Sequence, residues 1–329
     1  MKIFSGIRPT GELHIGNYLG AIKQWIKIQE EQKKNECIFC IVDLHAITTP
    51  FNPKDLQKNI LNTTATYLAS GLDPERCILF VQSRIKEHTE LAWILGTITP
   101  LGELKRMTQF KEKIQSHPEY INAGLLNYPT LMAADILLYQ AEAVPVGEDQ
   151  EQHVELTRKI ARKFNNTFGE TFKLPRAILP KKGAKIMSLQ NPKRKMSKTD
   201  SSKQGYVELF DSPEDIRKKI MSSVTDTGKE IKYDLEKKPG ISNLLTIYSS
   251  FDEKDIREIE KKFEGKGYAD FKKSLAELLV KKLEPFREKR KELSSRKEYL
   301  EEILKKGEEK ARVIAKSTIN EVKRKTGLI

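Results

Sequence analysis

The sequence predicts an α/β fold, a parallel sheet wound by helices over the first half, with a smaller all-helical region after it. Three observations carry this. Ile3–Gly6, Cys37–Leu44 and Cys77–Gln82 are short, nearly continuous apolar runs, as strands buried on both faces of a parallel sheet require. Helix-period stretches, around Leu19–Gln32 and Pro53–Gly71, lie between them. From about Asp211 the strand-like runs stop, and helical periodicity persists nearly to the C-terminus.

Taken in order, the run Ile3-Phe4 leads into Pro9-Thr10-Gly11-Glu12-Leu13-His14-Ile15-Gly16-Asn17 and then the amphipathic pattern from Tyr18 to Ile26. This reads as a strand-to-helix turn, with glycines where backbone comes close to a ligand and free N–H groups at the helix start. Gly71 stops the next helix, and Asp73-Pro74 opens the turn into the third strand. Alternation of this kind implies right-handed crossovers and a ligand site at the carboxyl ends of the strands, where the Pro9–Asn17 turn falls. Ser212-Pro213-Glu214-Asp215 reads as a helix start in the second region, with breaks at Lys238-Pro239-Gly240, Gly265-Lys266-Gly267 and near Pro285. The stretch Glu284–Lys325 alternates charge at helical spacing, which reads as a solvated helix face. The expected domains are 1–190 and 191–329, the last helix being able to pack back on the first domain. Internal repeats and low-complexity segments are not found.

At 329 residues and 38% hydrophobic content, each domain has material for a packed core. The formal net charge is +13, which points to a polyanionic partner as well as to solubility; charge alone does not choose between RNA and DNA. Three cysteines in this length argue against a disulfide scaffold and for a reducing compartment. Cys37 and Cys40 form a C-x-x-C inside an apolar run with no second pair and no nearby histidines, so a metal or redox role is not expected, and no protein metal site is. The N-terminus lacks a charged-then-apolar signal pattern, and no window reaches the length of a membrane span. The expectation is a soluble, cytoplasmic protein with no membrane partner.

Two separated motifs carry the chemistry. His14-Ile15-Gly16-Asn17 places an imidazole at a helix start. Lys195-Met196-Ser197-Lys198-Thr199 places two lysines in a polar loop after Lys193 and Arg194. Together they supply what stabilising a triphosphate during displacement needs. A third stretch, Tyr128 to Tyr139, begins like a helix with Pro129 in its first turn, and Asp135 is its only charge. Burying that carboxylate unpaired would be costly, so it is satisfied either by a ligand's donor or by the protein. Met132 lies one turn earlier on the same face.

These stretches resemble the bacterial tryptophanyl-tRNA synthetases of class I. The resemblance runs through Phe4 to Gly11, His14 to Ala21, Val42 to Thr48, Gly102 to Leu104, Arg106 to Lys111, Tyr128 to Tyr139, Val144 to Gln150, Gln152 to Phe164, Lys185 to Ser188, Lys195 to Asp200 and Gly240 to Leu245, and is weakest over the last few tens of residues. It implies a Rossmann-like nucleotide-binding catalytic domain followed by an anticodon-binding-like helical domain. It also implies that Arg8, Pro9, Thr10, Gly16 and Asn17 line ATP, that Gly147, Glu148 and Asp149 hold the ribose, and that Ile186 packs near the adenine. Lys195, Met196, Ser197, Lys198 and Thr199 would contact the phosphates, with Lys113 as a further phosphate lysine and Mg²⁺ alongside.

The family's second histidine is Asn17 here, which keeps a donor without a titrating proton; this suits electrostatic stabilisation and argues against a general acid. Arg8 and Thr10 stand where glutamine and serine are more usual, and Thr199 replaces a final serine while keeping the hydroxyl. For the amino acid, the resemblance implies that Asp135 accepts the indole N–H. Met132 supplies a soft wall where tyrosyl relatives carry glutamine, and Phe4, His45, Tyr128, Val144 and Val146 complete the enclosure. The implied partners are L-tryptophan and tRNA(Trp), in a homodimer. The alternatives are a tyrosyl enzyme, disfavoured by Met132, and a non-catalytic RNA-binding protein, disfavoured by the retained lysines and His14.

Overall fold

The computed structural model describes residues 1–9, 13–34, 36–116, 118–179, 185–197 and 202–329. Grouped by contacts, the chain forms two units. The first is Met1–Gly11 with Gln24–Pro180 and Arg296–Ile329; the second is Glu12–Lys23 with Lys181–Ser295. Against the expected 1–190 and 191–329, the His14 segment groups with the second unit; the last helix groups with the first.

The first unit is built on five strands, β1 (Ile3–Ile7), β2 (Cys37–Ile41), β3 (Ile78–Val81), β4 (Ala143–Pro145) and β5 (Arg176–Ile178). All pairings are parallel and the order is β3-β2-β1-β4-β5, a Rossmann-like doubly wound sheet. Ile3 of β1 pairs with Cys37 of β2 on one side and with Ala143 of β4 on the other, so the winding reverses beside β1. Burial on both faces explains the unbroken apolar runs: every residue of β2 and β3 is buried. Cys37, Cys40 and Cys77 are free and buried, and burial pushes the Cys37 thiol up to about 11 and the Cys77 thiol up to about 12.

The second run stops short of Leu44 because Asp43–Ala46 turns into a short helix. The Asp43 carboxylate accepts from the Leu44 N–H at 3.1 Å and from the Ser83 N–H at 3.0 Å, which ends the strand at its carboxyl edge. Pro53–Ala69 is a helix with Asn52 as N-cap and proline at its start, and Gly71 follows with φ of 112°. Helix Ala123–Leu137 begins one and a half turns earlier than expected, its Asn122 side chain accepting from the Leu125 N–H, so Pro129 is inside the helix rather than in its first turn.

Helix Lys297–Lys325 has more than a solvated face. Its buried stripe includes Leu300, Leu304, Gly307, Ala311, Ala315 and Ile319, of which Ala311, Ala315 and Ile319 join the core of the first unit. Gly307 is what allows the approach: a Cβ there would lie 1.8 Å from the Leu79 carbonyl oxygen of β3. Arg312 also donates to the Arg84 carbonyl just beyond β3.

The second unit packs helix Pro213–Met221 on helix Tyr268–Ser294, with Tyr248, Phe263 and Phe271 meeting at centroid distances of 5.0 to 5.7 Å. The breaks at Pro239 and at Gly265–Gly267 fall between helices, but Pro285 lies within a continuous one. Proline there removes one ladder bond, and in the turn before it the Val280 carbonyl accepts from the Arg287 guanidinium at 2.9 Å. The break comes instead at Ser295-Arg296. Among the described residues no helix is long and apolar enough to cross a membrane.

Candidate active site

In the first unit the carboxyl ends of β2 and β3 face helix Ala123–Leu137, and Asp135 is where they meet. Its carboxylate is 1% exposed. Oδ1 accepts from Gln82 Nε2 at 2.7 Å and from His88 Nδ1 at 2.6 Å, and Oδ2 from His45 Nε2 at 2.8 Å. Of the two ways to satisfy the buried acid, the protein's own donors supply three hydrogen bonds. Burial alone would raise the carboxyl pKa, but the hydrogen bonds from His45 and His88 outweigh it and hold the group well below the usual range. The ionised carboxylate has about four acceptor positions, two per oxygen; among the described residues Oδ1 is filled and Oδ2 retains one.

The donors are themselves held. Gln82 follows β3 directly, and its Oε1 accepts from the Leu44 N–H at 3.1 Å while Nε2 donates to Asp135, which fixes the amide's orientation. His88 is fully buried, and its Nε2 meets the Tyr139 hydroxyl at 2.8 Å. Tyr139 stacks on Phe4 of β1 at 5.7 Å with 7° between the rings. Phe4 and Val144 are core residues; Met132 and Val146 are partly buried and pack against that core.

Beside this lies a cationic group. The Tyr128 hydroxyl meets His153 Nε2 at 2.8 Å, its ring stands edge-on to His45 at 6.2 Å, and Lys113 Nζ sits 4.3 Å over its face. Burial, and then Arg8, pulls Lys113 down to about 8; burial, and then Lys113 and His45, lowers His153 to about 4. The Arg8 guanidinium donates to the Ala46 carbonyl at 3.3 Å and to Thr49 Oγ1 at 2.8 Å, and burial lowers its pKa. Pro9 is buried. Gly147 caps the short turn Glu148–Gln150, where a Cβ would lie 2.7 Å from Asp149 Oδ1; Glu148 and Asp149 are exposed.

The second unit carries the other motifs. His14 and Asn17 cap one turn reciprocally: the Asn17 side chain accepts from the His14 N–H at 3.1 Å, and the His14 ring Nδ1 accepts from the Asn17 N–H at 3.3 Å. The Ile15 N–H donates to the Val207 carbonyl at 2.9 Å. The expected free N–H groups at this helix start are therefore corrected for two residues: the Asn17 N–H goes to the turn's own cap and the Ile15 N–H to Val207, and the helix is one turn, Ile15–Asn17, followed by a π turn over Tyr18–Ile22. Gly16 leaves room for the imidazole, since a Cβ there would lie 2.9 Å from His14 Nδ1.

The lysine loop is anchored by a hairpin. The Met196 N–H donates to the Ile186 carbonyl at 3.0 Å and the Ser188 N–H to the Arg194 carbonyl at 2.8 Å. Asn243 grips Met187 through both backbone groups at 2.9 Å. Ile186 and Met196 are 2% exposed while Lys195 is exposed, so the loop is rooted by its apolar residues with its cation outside. Ser197 is partly buried. Thr10, Lys198 and Thr199 lie outside the described residues.

Sequence reasoning did not assign Gln82, His88, Tyr139 or His153. The available signal was a polar residue closing an apolar strand run, at Val81-Gln82.

Known proteins share the sequence and fold of this chain. The family model for class I tRNA synthetases (W and Y) matches residues 1–284. The chain is 52% identical over 328 residues to the tryptophan--tRNA ligase of Caldanaerobacter subterraneus subsp. tengcongensis, covering 100% of this chain and 98% of that one. It is 51% identical over 326 residues to that of Bacillus anthracis, covering 99% and 98%. Its fold is similar to the crystal structure of tryptophanyl-tRNA synthetase from Campylobacter jejuni complexed with ADP and tryptophan, at TM-score 0.85 and 38% identity, covering 99% and 100%. The Mycoplasma pneumoniae tryptophanyl-tRNA synthetase gives TM-score 0.89 at 35% identity, covering 99% and 97%.

Proposed function

The chain belongs to the class I tRNA synthetases (W and Y), and we propose that it activates L-tryptophan with ATP and transfers it to tRNA(Trp). The tryptophan carboxylate attacks the α-phosphorus in line, diphosphate leaves, and the adenylate is then attacked by the terminal ribose hydroxyl of the tRNA. ATP enters as its Mg²⁺ complex. His14, Asn17, Lys195 and Lys198 stabilise charge building on the phosphates, with Lys113 as a further cation, and none of them needs to transfer a proton. Arg8, Pro9, Thr10, Gly16, Gly147, Glu148, Asp149, Ile186, Met196, Ser197 and Thr199 bind the nucleotide.

The observation that carries the amino-acid assignment is Asp135, a buried, ionised carboxylate with one acceptor position of Oδ2 still open. An indole N–H is the donor it awaits. His45 and Tyr128 frame it, Met132 gives an apolar wall, and Phe4, Val144 and Val146 back the enclosure. A site that hydrogen-bonds its substrate in this way rejects analogues lacking the donor by large factors.

A homodimer is supported by a cleft of about 720 Å³ in the first unit, lined by Ile47, Ala92 and Leu131 beside Trp93, which is 79% exposed. The formal charge of +13 suits tRNA, and the reaction belongs in the cytoplasm, where tRNA and ATP meet.

Amino-acid-dependent exchange of labelled diphosphate into ATP tests the reading. Exchange with tryptophan supports it. Exchange with tyrosine instead would make this a tyrosyl enzyme, and exchange with no amino acid would favour a non-catalytic RNA-binding protein.

A further inference from the structure

The Asp135 carboxylate is held by a chain of buried groups that reaches well behind the pocket. His88 Nδ1 faces Oδ1 at 2.6 Å, so that nitrogen carries the proton, and Nε2 accepts from the Tyr139 hydroxyl at 2.8 Å. Gln82 delivers the second donor to the same oxygen at 2.7 Å, its other end tied to the Leu44 N–H. His88 and Gln82 are 0% exposed, and so is Tyr139. The chain is buried behind the carboxylate. Its effect is on geometry: two donors saturate Oδ1, which turns Oδ2 to His45 and leaves Oδ2 as the only oxygen with an acceptor position open.

We infer that Gln82, His88 and Tyr139 are positioning residues for substrate selection: they fill one carboxylate oxygen of Asp135 so that the other accepts the ring N–H of the amino acid in a single orientation. The Asp135 carboxylate holds the His88 proton on Nδ1, and the Tyr139 hydroxyl satisfies Nε2. Without that hydroxyl Nε2 is buried unpaired and the ring can shift from Oδ1, which loosens Asp135. Tyr139 needs no contact with substrate for this, and its ring stays stacked on Phe4 when the hydroxyl is removed. The inference rests on the proposed tryptophan activation.

Its test is Tyr139→Phe and, independently, Gln82→Met. Each is assayed by diphosphate exchange with tryptophan and with the analogue carrying sulfur in place of the ring N–H. For each variant the expected result is a rise of about 10-fold in KM for tryptophan with kcat within about 2-fold, and the analogue's kcat/KM unchanged, so that discrimination drops about 10-fold. Thermal unfolding verifies that each variant folds; if one does not, the other decides. Equal losses for tryptophan and the analogue in a folded variant would mean a merely structural role and overturn the inference while leaving the functional reading intact. No exchange by the unaltered protein with tryptophan would overturn that reading and this inference with it.

Discussion

The Asn17 carboxamide oxygen lies 3.1 Å from the His14 backbone nitrogen, so the residue standing where the family has its second histidine is also the cap of that turn. The two roles are separable. Asn17→Asp keeps the acceptor, so unfolding free energy should change by less than about 0.5 kcal/mol. The added negative charge would oppose the triphosphate, and exchange should fall by about 10-fold or more. Urea unfolding beside exchange kinetics reads both; full activity would reduce Asn17 to a cap.

Asp135→Ala leaves Gln82, His88 and His45 without their acceptor. Stability should drop by about 3 kcal/mol, and kcat/KM for tryptophan by about 100-fold, while calorimetric ATP affinity is kept. An equal loss of ATP affinity would refute the assigned role.

His153 gives a pH signature. Its pKa falls from 6.5 to about 4 in the folded protein, so between those values the unfolded chain binds a proton that the folded one does not. Stability should therefore decline as pH falls through that window, by up to about 3 kcal/mol from this group. His153→Gln retains a partner for the Tyr128 hydroxyl and should flatten the decline, measured by urea unfolding at pH 7 and pH 5. Parallel curves for the two proteins would dismiss the assignment.

Gly307→Ala meets backbone rather than a movable side chain, the Leu79 carbonyl lying 1.8 Å from the added carbon. Helix and strand must separate, and the midpoint of denaturation should fall by an amount equivalent to about 3 kcal/mol or more. Gly102→Ala, with nothing within 4 Å of the added carbon, is the matched control. Equal midpoints for the two variants would contradict the packing.

The first three strands were legible because burial on both faces writes itself as an apolar run, as at Cys37–Ile41. β4 and β5 were not, since three residues each carry no periodicity. The Pro285 break was misread because neighbouring contacts held the helix through its missing bond. At the site, Asp135 stood out as a lone charge among apolar neighbours. Gln82 and His88 did not, being 53 and 47 positions away and joined to it only once the fold brings the end of β3 and helix Glu87–Ile98 against helix Ala123–Leu137.

The union of Gly307 with Leu79 and of Arg312 with Arg84 carries a cost during synthesis. Partners 228 residues apart mean that β3 emerges from the ribosome with one flank bare, long before helix Lys297–Lys325 exists to cover it. The nucleotide-binding sheet thus finishes folding late, and the growing chain must keep that apolar flank from other surfaces until helix Lys297–Lys325 has been made.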